Sequence, residues 1–319
     1  MTNFFCAQES RQVREDPIGN AEVYQIYVLI EYPTPWARNA FDSKCVPDNL
    51  KALWNDISFK WNEEYIVFLL VYNQELQKSD SSRVIIFYQG SGLTKGYKKL
   101  ELQIPNINDV APTLQKYLFD ENLEKYVQES QTRDILICTH GSRDKCCAKY
   151  GNIFYRQAKA IIANSSLNHV RIWQVSHFGG HRFAPTAIDF PDGRYYARLD
   201  SDSFNCILTR TGNIEKMNYI YRGWGILPGA VQVLEREMMM RYGWEWFNYK
   251  AEFQILHHSE LDESNCVKLY FHKTDGSGAF VQADIVIDKS KSVNLISYCD
   301  GKEAEYIPQF SVNNLAIFE

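Results

Sequence analysis

Two short apolar runs, separated by one helix-length segment, constrain this chain more than any other feature. Residues 134–138 (DILIC) and 170–175 (VRIWQV) have the length and content of buried strands. Between them, residues 146–164 put Tyr150, Phe154, Ala158 and Ile161/Ile162 at helical spacing. A strand–helix–strand unit of this kind predicts a parallel pair with a right-handed crossover. Both strands then deliver their C-terminal ends to one sheet edge, where open α/β sheets bind ligands. Each run carries metal-ligating side chains to that edge. Cys138 ends the first run, Cys147 opens the helix, and His177 and His181 sit in the loop HFGGH after the second.

The segment that follows extends the pattern. Residues 186–190 (TAIDF) and 194–199 (RYYARL) flank Pro191-Asp192-Gly193, and Asp-Gly between strand-like runs is a hairpin signal. Residues 228–242 read as a closing helix, with a proline early, Val231, Leu234 and Met238 on one face, and Gly243 where it should stop. Residues 200–223 show no helix that can be placed. The order β-α-β-β-β-α is thioredoxin-like. Ala184-Pro185-Thr186 leads into the hairpin as Ile-Pro-Thr does in thioredoxins, which predicts a cis bond before Pro185.

The flanks are less specific. Residues 1–20 are polar and charged and read as a loosely ordered arm. Strands are expected within residues 21–33, 65–72, 83–88 and 98–105. Helices are expected over 48–61, with Leu50, Leu53, Trp54 and Ile57 in step, and over 109–129, with Val110, Leu114, Leu118, Leu123 and Val127 on one face. The glycine-rich stretch 90–96 lacks the Gly-Lys-Ser/Thr of a phosphate loop and reads as a hairpin tip. Residues 128–133 are a polar joint, and short β-rich runs fill the chain from residue 251. His257 and His258 are strand neighbours that face opposite sides, a poor chelating pair. The expected architecture is α/β: a mixed α/β N-terminal domain over 1–130, a thioredoxin-like domain over 131–245 and a β-rich extension over 246–319.

With 45% apolar residues, the 319-residue chain can bury sizeable cores. A net charge of −5 without a basic block gives no sign of nucleic acid. The longest apolar run, at 65–72, is far short of the roughly 20 residues of a membrane helix. No basic-then-apolar leader opens the sequence. These features predict a cytoplasmic protein with no nucleic acid and no membrane span. The eight cysteines are sparse for a disulfide scaffold, so clustered ones point to metal or redox chemistry. Cys146 and Cys147 are adjacent and point different ways, so at most one joins Cys138.

Two thiolates and two imidazoles suit a tetrahedral zinc ion. They equally suit a 2Fe–2S cluster with a cysteine pair on one iron and a histidine pair on the other, as in Rieske centres. The spacing matches neither a zinc finger nor a Rieske motif. Core cysteines with hydrogen-bonded loop histidines are the structural alternative, so local chemistry leaves the readings open.

Three motifs together carry a resemblance. They are Cys138-Thr-His-Gly…Arg143-Asp144-Lys-Cys-Cys147, Ser176-His177-Phe-Gly-Gly-His181-Arg-Phe-Ala-Pro185-Thr, and Tyr221-Arg222-Gly223. In them the chain resembles the sucrase/ferredoxin-like family, strongly over about residues 130–245 and more weakly through Glu31-Tyr-Pro-Thr-Pro-Trp36. The resemblance implies a thioredoxin-like ferredoxin domain with a 2Fe–2S cluster outside the Rieske fold. Its ligands would be Cys138, Cys147, His177 and His181, with Cys146 the alternative to its neighbour. It implies an electron carrier more than a catalyst, served by redox partner proteins as donor and acceptor and compatible with a homodimer. Replacing two thiolates by neutral imidazoles makes the oxidised site neutral and raises its potential: Rieske centres span about −150 to +300 mV against about −400 mV for plant-type ferredoxins. A ligated imidazole keeps a ring N–H, so electron and proton uptake should couple, with a potential that varies between about pH 6 and 10.

His140 is either a hydrogen-bonding neighbour of a ligand or a solvent-facing loop residue. Arg143, Lys145 and Arg182 flank the ligands as partner contacts or solvated charges, and Trp173 and Phe183 are expected to pack. Two other functions compete. A thiol-disulfide oxidoreductase fits the fold and the cysteines near a helix start, although Cys-x-x-Cys is missing. A zinc-stabilised binding module fits the donor set. Sucrose hydrolysis needs a carboxylate pair that nothing in the sequence marks.

Overall fold

A computed structural model describes residues 4–60, 65–77, 81–118, 132–259 and 264–318. The chain begins with a short helix α1 (Cys6–Gln12). A first unit follows: β1 (Ile26–Glu31), α2 (Asp48–Lys60), β2 (Ile66–Tyr72), β3 (Ser82–Gln89), β4 (Tyr97–Ile104) and α3 (Val110–Leu118). The second unit repeats that order: β5 (Arg133–Cys138), α4 (Asn152–Ala163), β6 (Val170–Val175), β7 (Ala187–Phe190) and β8 (Arg194–Tyr196). It adds α5 (Ser201–Thr209), β9 (Tyr221–Trp224) and α6 (Gly229–Tyr242). The rest is β-rich: β10 (Lys250–Ser259), β11 (Ser264–His272), β12 (Gly278–Ile287), β13 (Val293–Leu295), β14 (Glu305–Ile307) and β15 (Phe310–Phe318).

Strands of both units share one nine-stranded mixed sheet, ordered β4-β3-β1-β2-β6-β5-β7-β8-β9. Read outward from the middle, β2-β1-β3-β4 mirrors β6-β5-β7-β8. In each unit the strand–helix–strand pair is parallel, Ile26 opposite Ile66 and Cys138 opposite Val175, and the next strand is antiparallel. The units join where β2 meets β6 in antiparallel register, Val71 opposite Val175 and Tyr72 opposite Gln174. Ser176 extends the joint, since its N–H donates to the Leu70 carbonyl and its Oγ accepts from the Leu70 N–H.

The sheet folds over at this joint. Phe87 of β3 stacks on Phe190 of β7 at 4.2 Å between centroids, although four strands separate them in sheet order. Strand alternation explains how. Tyr27, Leu29, Ile85 and Phe87 face the second unit in the main core, while Val28, Ile30, Val84 and Ile86 pack on Leu50, Leu53 and Ile57 of α2 and Val110 and Leu114 of α3. The C-terminal strands form a separate four-stranded antiparallel sheet, β10-β11-β12-β15, laid on α6, and a β13-β14 pair.

Several expectations need adjustment. The N-terminal arm is ordered: α1 buries Cys6, Ala7 and Ser10, and Arg11 donates to the Ala184 carbonyl. Its apolar side, Phe5-Cys6-Ala7, is too short for a periodicity argument to find. A helix does occupy residues 201–209, started by a capping box in which Asp200 and Ser203 exchange hydrogen bonds. The helix predicted over 109–129 is described from Val110 to Leu118, and Leu123 and Val127, with the joint before residue 132, lie outside the described residues. His257 and His258 are both exposed on β10. The Ala184–Pro185 peptide, by contrast, is cis as expected.

Candidate metal centre

The thiols reach the sheet edge by close packing. Cys138 is the buried last residue of β5. Cys147 opens a π-helical turn, Cys147–Gly151, that runs into α4, and such turns are frequent at functional sites. A Cβ at Gly151 would collide with the Cys138 carbonyl oxygen, so glycine is what lets the helix start press on the strand end. The imidazoles arrive from the other side. Gly179 and Gly180 take φ +88° and +71°, the left-handed region, and turn the loop after β6 back on itself. The fully buried Arg222, which donates to the Asn20 carbonyl, sits behind Gly180, where any Cβ would lie 2.5 Å from its Cζ.

These elements bring Cys138, Cys147 and His177 together, their donor atoms all within 4.8 Å of one another. His177 Nδ1 lies 3.8 Å from Cys138 Sγ and 3.7 Å from Cys147 Sγ. His181 stands outside that trio but next to it, with Nδ1 3.5 Å from His177 Nε2. Its own Nε2 lies 3.0 Å from the Ser297 carbonyl oxygen, to which it donates. Nδ1 then carries the lone pair, the arrangement by which ligating histidines are usually oriented. The cysteines are buried and both histidines half-buried, so the imidazoles form the solvent side of the site.

The hydrogen bond with Cys147, helped by His177, holds the Cys138 thiol well below its usual range against its burial. The same bond, together with burial, pushes the Cys147 thiol up. Burial lowers both His181 and His140, which favours the neutral imidazole that binds metals.

The structure also shows neighbours that sequence reasoning missed or left open. His140 is buried rather than solvent-facing: its Nδ1 accepts from the His177 N–H at 3.1 Å, and its Nε2 donates to the Ala37 carbonyl at 2.7 Å. Trp36 meets the same ring edge-on. The loop between β13 and β14 covers the other imidazole, with Ser297 on Nε2 and the Tyr298 ring 5.0 Å from that of His181. No local signal marks this loop. Cys146 does not join Cys138, because its sulfur faces Cys6 and Cys299. Arg182 is paired with Glu15, Lys145 lies over the Phe5 ring, and Arg143 is exposed. Trp173 and Phe183 are buried in packing roles.

A mixed α/β protein whose sheet edge gathers thiols and imidazoles able to hold a metal is the class that this geometry defines. The chain belongs to the sucrase/ferredoxin-like family, whose family model matches residues 17–223. Two curated relatives carry the name altered inheritance of mitochondria protein 32. The one from Meyerozyma guilliermondii is 31% identical over 24% of this chain and 29% of its own length. The one from Debaryomyces hansenii is 35% identical over 28% of this chain and 34% of its own length. The matched region thus spans about a third of each relative. No solved structure matches the chain. Among the described residues, no helix is long and apolar enough to cross a membrane.

Proposed function

We propose that this protein is a one-electron carrier in which Cys138, Cys147, His177 and His181 hold a 2Fe–2S cluster. The convergence of two thiols and the His177 imidazole at the sheet edge, with the His181 imidazole directly beside them, carries this reading. The donors fit such a group in kind and in placement, with the sulfurs side by side in the interior and the imidazoles adjacent on the solvent side. When bound, the cluster supplies a site that takes up and releases one electron. The chain's residues do the rest. Ser297 fixes the tautomer of His181, His140 anchors the His177 backbone, and the buried Arg222 places a positive charge behind the loop. The strand order β6-β5-β7-β8, with β7 alone antiparallel to the others, supports a thioredoxin-like frame for the site. Redox partner proteins would meet the half-buried histidine side.

One observation favours a second reading. The donors of Cys138, Cys147 and His177 already converge tightly enough for a single zinc ion. Purification without oxygen followed by potentiometric titration separates the two. The carrier predicts a coloured protein with a reversible one-electron couple well above the about −400 mV of plant-type ferredoxins. Repeating the titration between about pH 6 and 10 tests the proton coupling. A colourless zinc protein would support the second reading, and one without metal or couple would remove both.

A further inference from the structure

Three cysteines from distant parts of the chain meet on the far side of the Cys146–Cys147 peptide. Cys6 comes from α1, Cys146 from the start of the π-turn, and Cys299 from the loop between β13 and β14. Their sulfurs lie 3.6 Å (Cys6–Cys146), 3.4 Å (Cys6–Cys299) and 3.2 Å (Cys146–Cys299) apart. Asp144 completes the group, with Oδ1 3.4 Å from Cys299 Sγ, and all four donor atoms fall within 4.8 Å of one another. None of the four is among the donors gathered by Cys138, Cys147 and His177.

We propose that Cys6, Asp144, Cys146 and Cys299 form a second, structural metal site for zinc, which pins the two ends of the chain beside the first centre. Zinc–sulfur bonds of about 2.3 Å put the sulfurs of a tetrahedral site about 3.8 Å apart, slightly wider than the separations seen. Four donors with no open position are the mark of a structural site. A disulfide would use two of the sulfurs and leave the third, with the carboxylate, without a role. The carboxylate is held in place, since the Cys146 N–H donates to Asp144 Oδ1 at 2.7 Å, the kind of orienting bond that ligands carry.

Charge is compensated too. Three thiolates and a carboxylate around a divalent ion leave an anionic unit, which burial penalises unless cations are near. Phe5 and Tyr150 pack on the cysteines, and Arg11, Lys145 and Lys149 stand over those rings. Binding displaces the protons still held by the sulfurs. It also fixes the loop whose Ser297 and Tyr298 meet His181, two residues and one residue before Cys299. The site stands apart from whatever occupies the first centre.

The test uses the full chain, reduced and freed of metal, titrated with Zn²⁺ against a chromophoric chelator. In parallel, cysteine alkylation is followed by peptide mass spectrometry with and without zinc. A single zinc ion should remain bound in the Cys138→Ala/His177→Ala variant. Cys299→Ser should weaken zinc by at least the about 10- to 100-fold that disturbing a ligand's hydrogen-bond partner costs. In the unmutated chain, zinc should shield Cys6, Cys146 and Cys299 from alkylation. Zinc lost with Cys138→Ala/His177→Ala yet kept in Cys299→Ser would overturn the proposal. So would the absence of zinc-dependent shielding of the three cysteines, a readout that needs no variant to fold.

Discussion

His181 is oriented from outside its own motif. Its Nε2 is spent on the Ser297 carbonyl, 116 residues away, which leaves Nδ1 for the site. His177 is anchored through its backbone by His140. His140→Ala removes a buried acceptor and leaves the His177 N–H without its partner, a cost of about 1–3 kcal/mol. Urea unfolding should register that loss, and metal should leave the variant faster than the parent. Exchanging His177 and His181 together for cysteines should keep a cluster and lower its potential by on the order of a few hundred millivolts, toward plant-type values; an unchanged potential would argue against histidine ligation. Cys138, Cys147, His177 and His181 were legible as neighbours because Cys138 ends β5, Cys147 opens the helical turn that follows and the histidines lie in the loop after β6, all at the edge a parallel pair shares. Cys6, Ser297 and Cys299 were not, because their meeting depends on contacts between the two ends of the chain that no local pattern encodes.

The elements that present the site depend on a few close approaches. Gly151→Ala drives a methyl into the Cys138 carbonyl and should cost about 1–3 kcal/mol or more. Its signature would be loss of the centre together with lowered thermal stability, whereas a variant that binds metal normally would show that the helix start can shift. Away from the site, Asp200→Ala removes the capping box of α5 and should cost about 1 kcal/mol with metal content unchanged. Strands β1 to β6 follow from runs of branched and aromatic residues, and α2, α4 and α6 from their periodicity. Helix α5 escaped because its capping box uses serine where glutamate is the usual signal. Helix α1, only seven residues long, gives too few turns to read.

At the scale of the molecule, a charged seam holds the folded-over sheet. Arg171 of β6 grips Glu101 of β4 through both guanidinium ends, at 2.9 and 2.8 Å, and also meets Asp134 of β5, which Lys99 approaches at 2.6 Å. Burial pushes the Glu101 carboxyl up, but Arg171 and Lys99 outweigh it and bring it down to about 2. With its folded pKa depressed, Glu101 stabilises the fold fully above its unfolded value of about 4.3 and loses that contribution as pH falls toward 2. The stability gap between the parent and Glu101→Gln in urea should therefore narrow as pH drops below about 4. A gap constant from pH 7 to pH 2 would mean that the seam does not carry this linkage. The sequence suggested a mixed α/β unit ahead of a βαβββα one but neither their likeness nor their packing, because pairing across β2 and β6 rests on only a short register at the strand ends.

Iron and acid-labile sulfide, counted in protein purified without oxygen, bear most directly on the role assigned to the sheet-edge centre. Two irons and two sulfides per chain are expected, both lost when His177 and His181 are replaced by alanine. Stoichiometric zinc at this centre without sulfide, or an iron–sulfur content indifferent to those two histidines, would contradict the account.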